Sequence, residues 1–344
     1  MRLFSNEIVF RGHPDKVCDQ ISDALLDEFL KGDKKSRCAI ETVGGKGKIF
    51  ITGEVTSNSN VNVNEVVKKV LEDVHYPLDY EIINNIGIQS KDIALGTNDN
   101  VLGAGDQGMM FGYACNDNEY YLPTAMVILK ELSKEYDKLV KNDNRFKSDG
   151  KAQLTGYYDN EMKLIRIKTF TISYQNTEKD RKGTDKIIID ICNNICSKYN
   201  IEVEKYLINP TGKFEIGGFE GDAGLTGRKI VVDSYQGFAK VGGGAFSGKD
   251  PTKVDRSGAY KARLIAVYYL KKYNLKWCSI QLSYSIGIRK PLAIYIDSNK
   301  GILKDEATIS KYSNLYEECE PKNIIDDLNL LNEKYYERSK FGHF

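Results

Sequence analysis

The most informative stretch of this chain is residues 242–250, which read GGGAFSGKD. Glycines let successive backbone N–H groups turn towards one point, and Lys249 adds a positive charge, so the stretch predicts a loop wrapped around an anion. Counted from Gly243, the spacing G-x-x-x-x-G-K is close to a P-loop, but Asp250 stands where a P-loop needs Ser or Thr to bind Mg²⁺. We therefore expect a polyphosphate site of another design, and an ordinary glycine-rich turn is the alternative.

Composition limits the partners that this chain could have. Its 344 residues include 49 Lys and Arg against 48 Asp and Glu, so no global charge excess favours nucleic acid or an anionic membrane. The longest apolar run, Leu264 to Leu270, is far shorter than the roughly 18 residues of a membrane span. The seven cysteines are scattered without a C-x-x-C pair, which indicates reduced thiols in a cytoplasmic protein.

The order strand, strand, helix occurs three times along the chain. The patterns lie at 37–43, 48–56 and 62–74, then at 152–158, 163–174 and 184–199, and finally at 279–286 and 292–296, with weaker helical patterns at 306–316 and 324–335. This repetition predicts an α+β fold of three pseudo-repeated domains, each a sheet covered by helices. We expect domains at 1–90, 103–216 and 217–344, a mobile active-site loop at 91–102, and some segments crossing between domains.

Residues 12–16, GHPDK, predict the start of a helix that carries chemistry. Pro14 suits the first helical position, and apolar residues at 17, 21 and 25 share one face of a helix that continues to about residue 30. His13 and Asp15 then stand at a helix N-terminus, which attracts anions. Asp15 could offer oxygens to Mg²⁺ and His13 a hydrogen bond to a phosphate; the alternative for Asp15 is simple stabilisation of the helix dipole.

A second helix is predicted to begin at Thr252, directly after the glycine-rich loop. Its first turn contains Lys253 and Asp255, beside the expected phosphates, and Asp255 suits a second Mg²⁺ carboxylate. A face of small residues suited to close packing follows along this helix, at Ala259, Ala262 and Ala266.

Further motifs occur in a fixed order and carry a family resemblance. They are GHPDK at 12–16, GAGDQG at 103–108, NPTG at 209–212, GGFEGDAGLTGRK at 217–229 and GGGAFSGKD at 242–250. Along essentially its whole length the chain resembles the S-adenosylmethionine synthetases (methionine adenosyltransferases). The resemblance implies three pseudo-repeated α+β domains, and homodimers or dimers of dimers with active sites between subunits.

The resemblance also implies a reaction and its cofactors. The sulfur of L-methionine attacks the 5′ carbon of ATP and displaces the triphosphate, which is then cleaved to pyrophosphate and phosphate. A thioether carries no proton, so the site must position the substrates and stabilise the charged leaving group rather than supply a base. Two Mg²⁺ per site and one K⁺ per subunit are the implied ions.

The residue roles are carried over motif by motif. The implied catalytic residues are His13, Lys151, Arg228, Lys229 and Lys249. These residues also bind ATP, together with Asp149, Lys213, Phe214, Asp222 and Ala245. The implied methionine-binding residues are Glu54, Gln89, Asp222 and Lys253. The implied metal ligands are Asp15 and Asp255 for Mg²⁺ and Glu41 for K⁺.

The chain departs from the family pattern at a few positions. Arg11 stands where most members have glutamate, which reverses a charge near the metal site, and Lys91, Lys213 and Asn176 replace a usual proline, arginine and histidine. The chain ends at residues 342–344, where many members continue. None of these departures removes an implied catalytic residue. A catalytically silent ATP-binding relative and a P-loop NTPase are the competing hypotheses, and the reaction products distinguish them.

Overall fold

The computed structural model describes residues 1–88, 103–177, 181–303 and 312–344. Its strands are β1 (Arg2–Val9), β2 (Arg37–Gly45), β3 (Lys48–Thr56), β4 (Glu81–Gly87), β5 (Gly108–Cys115), β6 (Phe146–Tyr158), β7 (Leu164–Asn176), β8 (Tyr206–Ile208), β9 (Gly224–Leu225), β10 (Trp277–Tyr284) and β11 (Ala293–Ser298). Its helices are α1 (Pro14–Gly32), α2 (Val63–Asp73), α3 (Thr124–Asn142), α4 (Lys182–Lys198), α5 (Ile230–Asp233), α6 (Val254–Lys272), α7 (Tyr312–Glu318), α8 (Pro321–Asp327) and α9 (Tyr335–Ser339).

The N-terminal sheet has the strand order β4-β3-β2-β9 and packs against α1 and α2. Alternate residues of β2 and β3 are buried on the helix side, as the two-residue period of a strand requires. Together with α1 and α2 they form one apolar core, which includes Ile40, Ile49, Ile51 and Val67. The short β9 pairs with the end of β2 and so brings a segment from beyond residue 220 into this sheet.

The central sheet has the order β1-β6-β7-β8, with α3 and α4 packed over it. Its first strand, β1, comes from the very start of the chain and pairs antiparallel with β6, from Arg2 opposite Tyr158 to Val9 opposite Lys151. The turn after β1 therefore places His13 and the start of α1 beside the central sheet, while the rest of α1 packs on the N-terminal sheet.

The C-terminal sheet has the order β11-β10-β5 and is covered by α6. Gly112 on β5 approaches the helix so closely that a Cβ atom there would lie 2.1 Å from the carbonyl carbon of Ala262. Ala259, Ala262 and Ala266 are all buried at this contact, which confirms the predicted face of small residues.

Three sheets with helices on one side confirm the expected α+β fold. The strand-strand-helix units predicted at 37–74 and 152–199 also agree with the structure, except that β6 begins earlier, at Phe146. The single helix expected at 324–335 is wrong: α8 ends at Asp327, and Asn329 has a φ of 51°, a left-handed conformation that a continuous helix cannot contain. The helical pattern at 306–316 falls largely outside the described residues, and α7 covers its end.

One face of the N-terminal and C-terminal sheets lacks a helical cover within the described chain. Val43 and Phe50 are exposed on the N-terminal sheet, and Met109 and Tyr295 on the C-terminal sheet. Their strand neighbours Thr42, Ile49, Met110 and Ile296 are buried on the helix side. Large apolar side chains therefore repeat at the outward positions of both sheets.

All seven cysteines lie within the described residues, where they are buried and unpaired. Burial raises the pKa of each of these thiols, so they pack as small apolar side chains in the reduced form. Among the described residues, no helix combines the length and apolar character that crossing a bilayer requires.

Candidate active site

The start of α1 forms the first charged cluster, which we call the Asp15 cluster. Asp15 is buried, and its Oδ1 accepts a hydrogen bond from the N–H of Leu225 at 2.9 Å. Its Oδ2 pairs with the ammonium of Lys229, and the Arg228 guanidinium lies 3.6 Å from Oδ1. The predicted metal ligand and the two predicted phosphate-binding cations therefore meet, although more than 200 residues separate them in sequence.

His13 caps α1 and contributes a neutral imidazole to this cluster. Its Nδ1 accepts the N–H of Asp15 at 3.2 Å, which places the ring proton on Nε2. Burial, followed by the positive charge of Lys229, lowers the pKa of His13 to about 4. At neutral pH the ring is therefore a hydrogen-bond donor without a full charge.

The glycine-rich loop forms the second cluster, the Lys249 cluster. The Lys249 ammonium lies 2.6 Å from Oδ2 of Asp255, at the start of α6. Gly248 has a φ of 81°, and a Cβ atom there would lie 1.9 Å from the carbonyl oxygen of Ile40, so only glycine fits. Ala245 of the same loop lies against Gly227, where a Cβ would be 2.5 Å from that of Ala245. The loop therefore borders the segment that carries Arg228 and Lys229.

Asp250 explains why this loop differs from a P-loop. Its carboxylate is fully buried and accepts hydrogen bonds from the Cys38 N–H and from the N–H and hydroxyl of Thr252. Lys253 contributes an ammonium at 3.4 Å. The negative charge that would have repelled phosphates is instead used to attach the loop to β2.

The other ATP-site residues implied by the resemblance lie on and near the central sheet. Asp149 on β6 is buried and accepts the N–H of Gly218 at 2.8 Å, whereas Lys151 on the same strand is half-buried and pairs with Glu7 at 2.6 Å. Lys213 is exposed and pairs with Glu215 at 3.0 Å. Phe214 is partly buried, and Asp222 is exposed.

The implied methionine and K⁺ residues are more dispersed. Glu41 on β2 is exposed and Glu54 on β3 is half-buried, and within the described chain neither side chain bonds to the two clusters. Lys253 occupies the N-cap position of α6 without a capping hydrogen bond from its side chain. Gln89, Lys91 and the expected loop at 91–102 lie outside the described residues.

The charge of Arg11 is neutralised within the protein. Its guanidinium pairs with Asp73 at the end of α2 and lies 3.4 Å from Asp137 on α3. It also donates to the hydroxyl of Tyr336 at 2.6 Å. The expected charge reversal near Asp15 is therefore compensated by carboxylates of other helices.

Comparison with known proteins identifies the family of this chain. Family models described as S-adenosylmethionine synthetase match the chain in three parts: the N-terminal domain at residues 1–95, the central domain at 101–214 and the C-terminal domain at 216–344. The chain belongs to the S-adenosylmethionine synthetase family. Proteins named S-adenosylmethionine synthase are similar to it over nearly all of both chains. That of Clostridium tetani is 41% identical, covering 100% of this chain and 94% of the relative, and that of Mycoplasmopsis pulmonis is 44% identical, covering 99% and 93%.

Three buried residues that hold the two clusters of this S-adenosylmethionine synthetase family member are not among the site residues that its motifs predicted. Asp19 accepts the N–H of Gly227 at 2.8 Å, next to Arg228, and Asp23 accepts the N–H of Gly248, also at 2.8 Å. Arg256 forms an ion pair with Asp23, in which its Nη2 donates to both carboxylate oxygens. The available sequence indication was the four-residue spacing of Asp15, Asp19 and Asp23, which places three carboxylates along one face of a helix.

Asp149 should make stability depend on pH in this family member. Burial raises its pKa to about 6, from about 3.9 in an unfolded chain. Between these values the native state binds more protons, so the contribution of Asp149 to the unfolding free energy falls as pH rises from about 4 to 6. Asp149→Asn keeps an oxygen for Gly218 and removes the charge. The unfolding free energy of the variant minus that of wild type should rise by about 2 kcal/mol between pH 4 and 7 in denaturant titrations. A difference that does not depend on pH would contradict this prediction.

Proposed function

We propose that the chain synthesises S-adenosylmethionine from ATP and L-methionine. The methionine sulfur forms a bond to the 5′ carbon of ATP, the carbon–oxygen bond breaks, and the electron pair leaves with tripolyphosphate. The bound tripolyphosphate is then hydrolysed to pyrophosphate and phosphate. The observation that carries this proposal is the pairing of lysine with carboxylate in two adjoining clusters, Lys229 with Asp15 and Lys249 with Asp255.

Each pair can exchange partners when the triphosphate binds. The lysine ammonium groups and the Arg228 guanidinium turn to phosphate oxygens, and Asp15 and Asp255 become free to hold Mg²⁺. Within the described residues, no group of three or more His, Cys, Asp or Glu side chains is arranged to hold a metal ion. One carboxylate per cluster fits Mg²⁺, which uses one or two carboxylates and completes its shell with phosphate oxygens and water. When bound, Mg²⁺ neutralises part of the charge on the leaving group.

His13 assists departure of the triphosphate. Its neutral ring carries the proton on Nε2, so it donates a hydrogen bond to the oxygen on which negative charge develops. Lys151 on the neighbouring strand adds a positive charge near the same end of α1. No base is required because the thioether has no proton to lose.

The remaining residues position the two substrates. Phe214 stacks on the adenine ring, with Lys213, Asp149 and the backbone at Ala245 around the nucleotide. The methionine set consists of Glu54, Gln89, Asp222 and Lys253. Free thiols at all seven cysteines are compatible with a cytoplasmic location, which we include in the proposal.

The uncovered sheet faces support a homodimer, or a dimer of dimers, with active sites between subunits. Glu41 and Glu54 alternate with the buried residues of β2 and β3, so they lie on the uncovered face rather than beside the clusters of their own chain. If two subunits docked through this face, Glu41 and Glu54 of each subunit would approach the clusters of the other.

Phe50→Glu should dissociate this assembly. The ring is exposed in the single chain, so a charge there should leave the folded subunit intact while disrupting the contact. Sedimentation should show monomers, with synthesis reduced at least about tenfold if the site needs both subunits. Tyr268→Glu is the control, since Tyr268 is exposed on α6, which covers the other side of the C-terminal sheet. A Phe50→Glu monomer with full activity would refute a shared site.

Glu41→Gln should weaken activation by K⁺. A carboxylate binds a monovalent cation more strongly than an amide does, so the K⁺ concentration for half-maximal activation should rise several-fold. Glu81→Gln is a matched control on an exposed strand position of the same sheet. An unchanged K⁺ titration would remove Glu41 from the proposed site.

Product analysis tests the proposed activity. Purified protein with ATP, L-methionine, Mg²⁺ and K⁺ should yield S-adenosylmethionine, pyrophosphate and phosphate in equal amounts, and only when methionine is present. An NTPase would instead yield ADP and phosphate without methionine. A silent relative would leave ATP intact.

A further inference from the structure

The backbone at Gly248 and Lys249 is held from both sides by one buried ion pair. Asp23 on α1 and Arg256 on α6 are both completely buried, and the Arg256 Nη2 donates to the two Asp23 oxygens at 2.8 and 2.6 Å. The Asp23 Oδ1 also accepts the N–H of Gly248 at 2.8 Å, while the Arg256 Nη1 donates to the carbonyl of Lys249 at 3.0 Å. The pair therefore contacts both ends of the dipeptide that presents Lys249.

Stability alone is a weak reason for this pair to exist. Moving two charges out of water costs about as much as their attraction returns, so a buried ion pair contributes little net stability over apolar residues of similar size. The Arg256 Nε also has no hydrogen-bond partner within the described residues. The guanidinium lies over the ring of Tyr335, 4.4 Å from its centroid, which holds its plane in place.

Asp23 is also the last of three carboxylates on α1 that bind the backbone beside the two clusters. Asp15, Asp19 and Asp23 follow one another at four-residue intervals along α1, so each lies one turn beyond the last. They accept backbone N–H groups from Leu225, Gly227 and Gly248, in that order. One rigid helix thus fixes the segment before Lys229 and the loop before Lys249.

We propose that Asp23 and Arg256 are positioning residues that aim the Lys249 ammonium at the triphosphate of the substrate. They touch neither substrate nor metal and act through the Gly248–Lys249 backbone. The backbone at Gly248 already lies against β2, where a Cβ atom would be 1.9 Å from the Ile40 carbonyl oxygen. The loop therefore has no room to shift towards β2 and restore the position of Lys249 if the pair is lost. The inference rests on the proposed function, because it requires a triphosphate at Lys249.

Arg256→Lys tests the positioning role. Lysine keeps the charge beside Asp23 but loses the second arm that holds the Lys249 carbonyl. We expect kcat, and affinity for inorganic tripolyphosphate with Mg²⁺ in calorimetric titrations, to fall about 10- to 100-fold. Arg263→Lys is the matched control: Arg263 lies two turns later on α6 and donates to the carbonyls of Tyr113, Tyr120 and Tyr121. It should lower the melting temperature comparably while changing tripolyphosphate affinity less than about twofold.

A double-mutant cycle with Lys249→Met separates positioning from general damage. If the pair acts through Lys249, Arg256→Lys should cost tripolyphosphate affinity less than about twofold in the Lys249→Met background. An equal loss in both backgrounds, or wild-type affinity in Arg256→Lys alone, would overturn the inference. Asp23→Asn, which keeps an acceptor for Gly248, provides the same comparison if Arg256→Lys does not fold. Unfolding of both variants would assign the pair to the fold and also overturn the inference.

The wild-type measurements distinguish this inference from the proposed function. A wild-type protein that neither makes S-adenosylmethionine nor binds tripolyphosphate would refute the proposed function itself. A wild-type protein that does both, with no dependence of tripolyphosphate affinity on Arg256, would refute only the positioning role.

Discussion

Lys249→Met should lower the turnover of S-adenosylmethionine synthesis by roughly 10²- to 10³-fold. The ammonium is the charge that the glycine-rich loop offers to the triphosphate, and deleting one preorganised donor at a developing charge typically has this effect. Methionine has a similar length, and the lysine side chain is only partly buried, so the fold should remain intact. Steady-state rates with saturating ATP and L-methionine, together with a circular dichroism spectrum, would measure both effects.

A matched substitution separates this loss from the loss of any lysine. Lys198 on α4 also forms a short ion pair, 2.7 Å from Glu131, but lies away from both clusters. Lys198→Met should change turnover less than about twofold, as surface ion pairs contribute little. If Lys249→Met kept near-normal turnover, the glycine-rich loop would not be a phosphate site.

Asp15→Asn and Asp255→Asn should each raise the Mg²⁺ concentration for half-maximal activity by about tenfold or more. An amide oxygen is a poorer ligand than a carboxylate for a hard dication, and changes at metal sites commonly cost 10- to 100-fold in affinity. Asn at position 15 still offers an oxygen to the Leu225 N–H, so the backbone around the cluster should persist. Mg²⁺ titrations at fixed ATP would measure the shift.

The control for the Mg²⁺ prediction replaces a carboxylate that also forms an ion pair but lies outside the two clusters. Glu131 pairs with Lys198 and accepts the hydroxyl of Tyr199, outside the two clusters. Glu131→Gln should leave the Mg²⁺ titration unchanged. Unshifted titrations in both aspartate variants would show that these carboxylates serve the lysines rather than the metal.

Local patterns in the sequence predicted much of the fold. The hairpins were predicted at 37–56 and 152–174 because strands and turns depend on neighbouring residues. The start of β6 was missed, since this strand begins at Phe146, six residues before the predicted one. Strand β1 was missed, since its partner β6 is about 150 residues away and only the tertiary fold pairs them. Helix α3 was also missed, although its buried residues recur at helical intervals along 125–140.

In the candidate site, too, residues within motifs could be predicted from the sequence, whereas contacts between distant segments could not. Lys249 in the glycine-rich loop and Asp15 in the first turn of α1 stand in recognisable motifs, so their chemistry could be anticipated. The residues that hold the glycine-rich loop could not be anticipated, because Asp23 meets Gly248 across 225 positions and Arg256 across 233. Arg11 shows the limit of arguing from charge alone, since its neutralising partners come from α2 and α3.

The bond that breaks in ATP tests the central proposal most directly. ATP labelled with ¹⁸O at the oxygen that bridges the 5′ carbon and the α-phosphorus can be incubated with the protein, L-methionine, Mg²⁺ and K⁺, and the products analysed by mass spectrometry. Attack at carbon predicts that all of the label leaves in the inorganic phosphates and none in the nucleoside product. Label retained in ADP or AMP would show attack at phosphorus, and would contradict the proposal that the two lysine–carboxylate clusters serve S-adenosylmethionine synthesis.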